Sequence, residues 1–148
     1  MTKKTDEAPA AHKNIEVALA AAQSEMTKAQ KFAKNTHLKS NYADLGSVMD
    51  ACMGPLNSNG IALVQRIGAA DGIHYVETTL THGESDTRLS CTVSLFIQKQ
   101  DMQGYGSAVT YARRYGLMAM AGIAPEEDDG HAAAQSKPEK KIALITAD

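Results

Sequence analysis

The 148-residue chain has the composition of a single soluble globular domain, with 43% apolar and 22% charged residues. Its longest weakly polar run, residues 117–124, is far shorter than the roughly 20 residues that a membrane span requires. The polar N-terminal residues lack the apolar core of a signal peptide. We therefore expect a cytoplasmic protein with no membrane partner.

Charge and cysteine content limit the kinds of site that the chain can hold. The formal net charge of −2 argues against a broadly basic nucleic-acid-binding surface. Lysines nevertheless outnumber acidic residues within residues 1–40, and a local basic strip is enough to contact phosphates. Cys52 and Cys91 are too few for a disulfide framework or a zinc site, so we expect both to be reduced core residues.

The first predicted helix follows a polar N-terminal segment. Residues 1–11 show no hydrophobic periodicity and predict a disordered arm. From about Asn14 to Lys34, apolar residues recur at steps of three and four, which predicts an amphipathic helix with Asn14 as its N-cap. Lys28, Lys31 and Lys34 lie near its C-terminal end, where they either complement the helix dipole or form a basic strip along DNA. Lys39 follows in the next segment.

A second helix and three strands come next. The helix opens at Asp44 or Ser40 and ends at Asn59-Gly60, with Pro55 bending its final turns. Segments 61–67, 73–81 and 88–98 are β-prone, and residues 68–72 and 83–86 connect them as turns. The element order predicts an α+β domain in which helices pack on one side of a three-stranded antiparallel meander.

A loop at residues 99–104 leads into the last predicted helix, which has about four turns, ends before Pro125 and combines arginines with tyrosines. Tyr111 and Tyr115 share a face, Arg114 lies three residues from Tyr111, and Arg113 points about 100° away. Aromatic rings stack on unpaired bases, and guanidinium groups pair with phosphates. The pattern therefore indicates a nucleic-acid-binding face. The alternative is a buried amphipathic helix with core tyrosines and solvated arginines.

The same helix carries a seam of small residues. Ala108, Ala112 and Ala119 are spaced so that they can pack closely on a sheet or on a neighbouring subunit. This seam predicts the packing side of the helix.

Other patterns are weaker candidates for chemistry. The acidic residues 126–129 offer carboxylates for Mg²⁺, as a nuclease would need, but consecutive acids more often form a solvated cap. His74 and His82 face the same way on a strand, yet no acid or cysteine accompanies them at ligand spacing. Gly104 and Gly106 lack the lysine of a phosphate-binding loop. We therefore predict no metal, no cofactor and no catalytic residue, and hence a protein that is not an enzyme.

Three blocks of the sequence form a recognisable pattern. They are Y-A-D-L with the following P-L-x-x-x-G-I-A-L-V-Q, the segment 78–84, and Q-G-Y-G-S-A-V-T-Y-A-R-R-Y-G-L with G-I-A-P-E-E-D-D-G. Spread over residues 39–130, these blocks resemble the Erf (essential recombination function) family of phage single-strand annealing proteins. The resemblance places an annealing domain at residues 12–130 and leaves residues 131–148 as a flexible tail.

The resemblance also implies a function and partners. Such a protein coats the single-stranded DNA left by an exonuclease and helps complementary strands to pair without ATP, during phage or prophage recombination in the bacterial host. The wider group of annealing proteins implies a core of sheet and helices and a ring or helical homo-oligomer. A phage exonuclease and a host single-strand-binding protein are the expected partners. The alternatives are a passive single-strand-coating protein and a Mg²⁺-dependent nuclease.

On this interpretation, arginines and lysines neutralise phosphates while tyrosines stack on bases. The strand arginines contribute if the polar face of the sheet lines the DNA groove. The predicted DNA-binding residues are Arg113, Arg114, Tyr111, Tyr115, Lys28, Lys31, Lys34, Lys39, Arg66 and Arg88.

Overall fold

The fold is that of a computed structural model, which describes residues 11–34 and 44–124 and, for residues 27–34, the backbone alone. The elements are α1 (Ile15–Lys34), α2 (Leu45–Ser58), β1 (Ile61–Ala70), β2 (Ile73–His82), β3 (Thr87–Ser94) and α3 (Met102–Ala121). The strands form one antiparallel sheet in the order β1-β2-β3. This arrangement confirms the predicted α+β meander.

Some of the sequence predictions fall outside the described residues. These are the N-terminal arm up to residue 10, Lys39, the acidic residues 126–129 and the tail at 131–148. Within the described ranges, no helix is long and apolar enough to cross a membrane.

The sheet has one buried face and one open face. On β2 the even-numbered residues from Val76 to His82 are buried, whereas the odd-numbered residues from Tyr75 to Thr81 are partly exposed, because successive strand side chains point to opposite faces. All three helices contact the sheet, and their buried residues belong to the same core as the inward-facing Leu80. The described helices therefore lie on one side of the sheet, as predicted.

The core is made of two clusters. The larger one joins the helices to the sheet through Ile15 of α1, Leu56 of α2, Leu80 of β2 and Leu117 of α3, all of them buried. Each such side chain contributes about 1.5–3 kcal/mol on burial. The smaller cluster lies under the first half of α3 and includes Val76. The helix α3 thus contributes to both clusters.

The helix ends follow the local sequence. The side chains of Asn14, Asp44 and Asp101 each accept a hydrogen bond from the backbone N–H three residues later, at 3.0, 2.7 and 2.8 Å. These bonds confirm Asn14 and Asp44 as N-caps. Gly122 ends α3 with a φ of 73°, in the left-handed region that glycine adopts at low cost.

Two strand boundaries differ from the predicted ones by more than one residue. The first strand continues through Ala70, and the turn is reduced to Asp71-Gly72, whose φ angles of 52° and 77° suit a two-residue hairpin. The turn predicted over residues 68–72 was therefore too long. The third strand ends at Ser94 and not at residue 98. The backbone N–H of Leu95 still donates to the backbone oxygen of His74 on β2, at 2.8 Å, and the side chain of Leu95 lies in the smaller core cluster.

The helix α3 is longer than predicted and lies very close to the sheet. It has 20 residues, or about 5.5 turns, because Asp101 caps it inside the segment predicted as a loop. Ala108 and Ala112 are buried against the sheet as predicted, but Ala119 is exposed, so its inclusion in the small-residue seam was wrong. Gly116 is the next small residue on the packing side, and a Cβ there would lie 2.6 Å from Oγ1 of Thr78.

Candidate nucleic-acid interface

The helix α3 presents two tyrosines to solvent. Tyr111 and Tyr115 are each 55% exposed, while Ala112 and Gly116, which follow them in sequence, are buried against the sheet. The alternative of core tyrosines is therefore wrong for this pair. Their rings are stacked, with centroids 6.3 Å apart and an interplanar angle of 21°.

Arg114 lies against both of these rings. Its guanidinium carbon is 5.3 Å from the centroid of Tyr111 and 5.2 Å from that of Tyr115, within the range of a cation–π interaction. Spacings of three and four residues on a helix bring these side chains together. We call this group of Tyr111, Arg114 and Tyr115 the aromatic–arginine cluster. It offers flat apolar rings and a planar cation on one surface.

Arg113 has a different environment. Its Nε donates a hydrogen bond to Oε1 of Gln65 at 3.0 Å, and Nε2 of Gln65 donates to the backbone oxygen of Arg113 at 2.9 Å. The same Nε2 lies 3.0 Å from Oγ1 of Thr78. This pair of reciprocal bonds fastens α3 to β1, so the structure brings Arg114 to the cluster and directs Arg113 to the sheet.

An open groove of about 710 Å³ runs beside the cluster, between α3 and the end of β3. Tyr111 and Tyr115 line one side, and Phe96 and Lys99 line the other. Nζ of Lys99 forms an ion pair of 3.3 Å with Asp101 and is well exposed to solvent. The volume of the groove falls within the roughly 300–1,000 Å³ typical of ligand sites.

Sequence reasoning missed Phe96 and Lys99. The signal for Phe96 was its position between Leu95 and Ile97, since both neighbours pack into the smaller core cluster and alternation then turns the middle side chain outward. The only sequence signal for Lys99 was its position in the loop that leads into α3.

The strand arginines lie on the other side of the sheet. Arg66 follows the inward-facing Gln65, so it points to the open face, where it pairs with Glu77 at 2.9 Å. Arg88 also lies on this face and pairs with Asp86 at 3.2 Å. The structure therefore does not bring these two arginines to the groove beside α3.

The α1 lysines are placed by their backbone only. Lys28, Lys31 and Lys34 lie in the last turns of α1, but their side chains are outside the described part of the structure. Their contact with DNA stays a prediction, as does that of Lys39.

Comparison with known proteins identifies the family. The model of the ERF superfamily matches residues 15–146, which includes every helix and strand described above and extends past residue 130. The chain belongs to the ERF superfamily. The match confirms the resemblance to the Erf family, whose members act in phage recombination as single-strand annealing proteins. No curated protein and no solved structure gives a significant match.

The two cysteines of this ERF-superfamily chain are free thiols with low reactivity. Cys52 is fully buried, and this burial raises the pKa of its thiol to about 11. Burial also raises the pKa of Cys91, against the opposing effect of hydrogen bonding to Thr78. Because the thiolate is the reactive form, both side chains act as packing groups.

His74 and His82 are engaged in structural contacts. Nδ1 of His74 shares a hydrogen bond of 3.1 Å with the hydroxyl of Tyr105, and Nδ1 of the buried His82 shares one of 2.6 Å with Ser85. Across the residues that the structure describes, no group of three or more potential metal-binding side chains occurs. The acidic residues 126–129 are not among them.

Proposed function

We propose that this ERF-superfamily protein binds single-stranded DNA through the aromatic–arginine cluster and anneals complementary strands without ATP during phage or prophage recombination. The observation that carries the proposal is the packing of Arg114 against two half-exposed tyrosines at the edge of an open groove. Membership of the ERF superfamily supports this role at the level of the family.

The cluster suits an unpaired strand for physical reasons. A guanidinium group bonds phosphate oxygens with directed donors, and exposed aromatic rings stack on bases that have left the duplex. The contact of Arg114 with both tyrosines holds its side chain in place before DNA arrives, which lowers the ordering cost of binding. Because aromatic stacking tolerates every base, little sequence preference is expected.

The wider setting forms part of the proposal. A ring or helical homo-oligomer would multiply a weak site on each subunit along one strand. A phage exonuclease would supply the single strand, and a host single-strand-binding protein would share it. The site of action is the cytoplasm of the bacterial host.

The test is renaturation of two complementary labelled oligonucleotides without ATP, together with binding to each single strand. Arg114→Ala should weaken single-strand binding about tenfold, because a hydrogen bond to a charged group is lost. It should also lower the slope of log affinity against log salt by about 0.7, the value for one phosphate contact. The wild-type protein should accelerate pairing, and the variant should do so less.

Arg66→Ala is the matched control, since it removes the same charge from the open face of the sheet. It should leave both binding and its salt slope unchanged. A larger loss of binding for Arg66→Ala than for Arg114→Ala would indicate that DNA binds to the open face of the sheet. Binding without faster renaturation would reduce the function to passive coating, and shortening of the labelled strands in Mg²⁺ would indicate a nuclease.

A further inference from the structure

We propose that Phe96 is a base-stacking residue, and that the groove between Phe96 and the tyrosines of the aromatic–arginine cluster holds unpaired nucleobases. This inference rests on the proposed single-strand-binding function and names the part of the DNA that the groove accepts.

The first argument is the exposure of Phe96. Its side chain is 88% exposed, although Leu95 before it is buried and Ile97 after it packs against the same core cluster. The backbone is therefore fixed on both sides, and the phenyl ring is held out toward solvent. Single exposed apolar residues are common on protein surfaces, so exposure alone assigns no role.

The second argument is that the exposed aromatic residues converge. Of the phenylalanine and tyrosine side chains that the structure describes, Phe96, Tyr111 and Tyr115 line this one groove. The others have structural contacts: Tyr105 bonds His74, and Tyr75 covers Gly68. Convergence of three exposed rings on one groove suits the stacking of successive bases.

The third argument is the mixed chemistry of the groove lining. Besides the three rings, apolar residues such as Ala108 and Ala112 line the groove together with the polar side chains of Gln98, Gln103 and Ser107 and the cation Lys99. Nucleobases, which have apolar faces and polar edges, match such a mixed lining. Lys99 is held by a single exposed ion pair with Asp101, and exposed ion pairs are weak, so a phosphate can compete for this cation.

The test separates contacts with bases from contacts with the backbone. Binding of the full chain to an oligo(dT) strand is compared with binding to an abasic strand of the same length, which keeps sugars and phosphates but lacks bases. Phe96→Ala should weaken binding to oligo(dT) about tenfold, in line with the cost of losing one stacked base. It should leave binding to the abasic strand unchanged.

Met102→Ala is the matched control. Met102 is 82% exposed and lies at the start of α3, but it is not among the residues that line the groove. Its replacement should affect neither strand. Because the side chains of Phe96 and Met102 are both almost fully in solvent, neither variant should alter the thermal unfolding midpoint.

A second measurement uses the lack of tryptophan in the chain. Phe96→Trp introduces a unique indole at the groove, and stacking on a base should quench its fluorescence when oligo(dT) binds. Met102→Trp should show much less quenching. Quenching at Phe96→Trp by oligo(dT), and not by the abasic strand, would establish the stacking contact.

The failures are distinguishable. If the wild-type protein binds neither strand and does not accelerate renaturation, the proposed function fails and this inference fails with it. If the wild type binds and anneals but Phe96→Ala matches it on oligo(dT), only the stacking role is overturned. Equal weakening on both strands would also overturn it, since the effect would then not involve bases.

Discussion

Two adjacent arginines on α3 have separate surroundings. Arg114 contacts two tyrosines on its own helix, at spacings that the sequence already displays. Arg113 instead bonds Gln65, which lies 48 residues earlier in the chain. The first grouping was therefore predictable from helical geometry. The second was not, because no local pattern reveals a partner on a distant strand.

This difference predicts a structural role for Arg113. Arg113→Ala should lower the free energy of unfolding by about 1–2 kcal/mol, because it removes a partly buried hydrogen bond to a charged group. Urea denaturation of Arg113→Ala, Gln65→Ala and the double variant gives the coupling energy of the pair. An unchanged stability with a loss of single-strand binding would instead make Arg113 a DNA contact, as the sequence first indicated.

Cys52 makes stability depend on pH at the alkaline end. Burial raises its pKa from 9.0 to about 11, so the folded protein keeps the thiol proton over a range in which the unfolded chain loses it. Between pH 9 and 11 the unfolded state binds fewer protons, and the free energy of unfolding falls as pH rises, by at most about 1.4 kcal/mol per pH unit from this group. Denaturant titrations from pH 8 to 11 should show a shallower fall for Cys52→Ala than for the wild type. Parallel curves for the two proteins would contradict this origin of the dependence.

At the scale of elements, α3 packs tightly on the sheet at Gly116. A Cβ there would lie 2.6 Å from Oγ1 of Thr78, so the helix or the strand would have to shift. Gly106 lies in the same helix, and a Cβ there would meet nothing within 4 Å. Within this helix, a side chain at position 106 has free space, whereas a side chain at position 116 would collide with the sheet.

The two alanine substitutions should change stability in opposite directions. Gly106→Ala should stabilise the protein by about 0.5–1 kcal/mol, which is the helix propensity difference. Gly116→Ala gains the same propensity but overpacks the contact with Thr78, and we expect a net loss of about 1–2 kcal/mol. Chemical denaturation of both variants measures the difference between them. Equal stabilisation by both would mean that the helix is not held tightly at Gly116.

The elements themselves were largely predictable, because caps and periodicity are local. Asn14 was predicted as an N-cap and Asp44 as one of two possible starts of α2, and both side chains accept the bond expected of an N-cap. The β1–β2 turn was drawn too long because Gly68 seemed to end the strand. In the fold, Gly68 stays in β1 and pairs with Tyr75 on β2, whose ring lies where a side chain at position 68 would be. The sequence alone does not reveal a cross-strand contact of this kind, because it depends on how β1 and β2 pair.

At the scale of the whole molecule, the layering of the fold separates the predicted cations. The sequence indicated helices on one side of a meander, and the structure has them there. The sequence did not indicate that Arg66 would face away from α3, because the inward or outward direction of a strand residue depends on the register of the pairing. The groove was equally hidden, since Phe96 and Tyr111 come from separate elements.

The position of α3 at the end of the described fold has a kinetic consequence. The strands pair with their neighbours in sequence, and hairpins of this kind close in about 1–10 μs. Synthesis adds only roughly 5–20 residues per second, so α3 is complete on the order of seconds after the strands. Until then the apolar face of the sheet lacks the helix that supplies Leu117 and Ala112 to the two core clusters. A nascent chain therefore completes the two described core clusters and acquires the aromatic–arginine cluster in the same step.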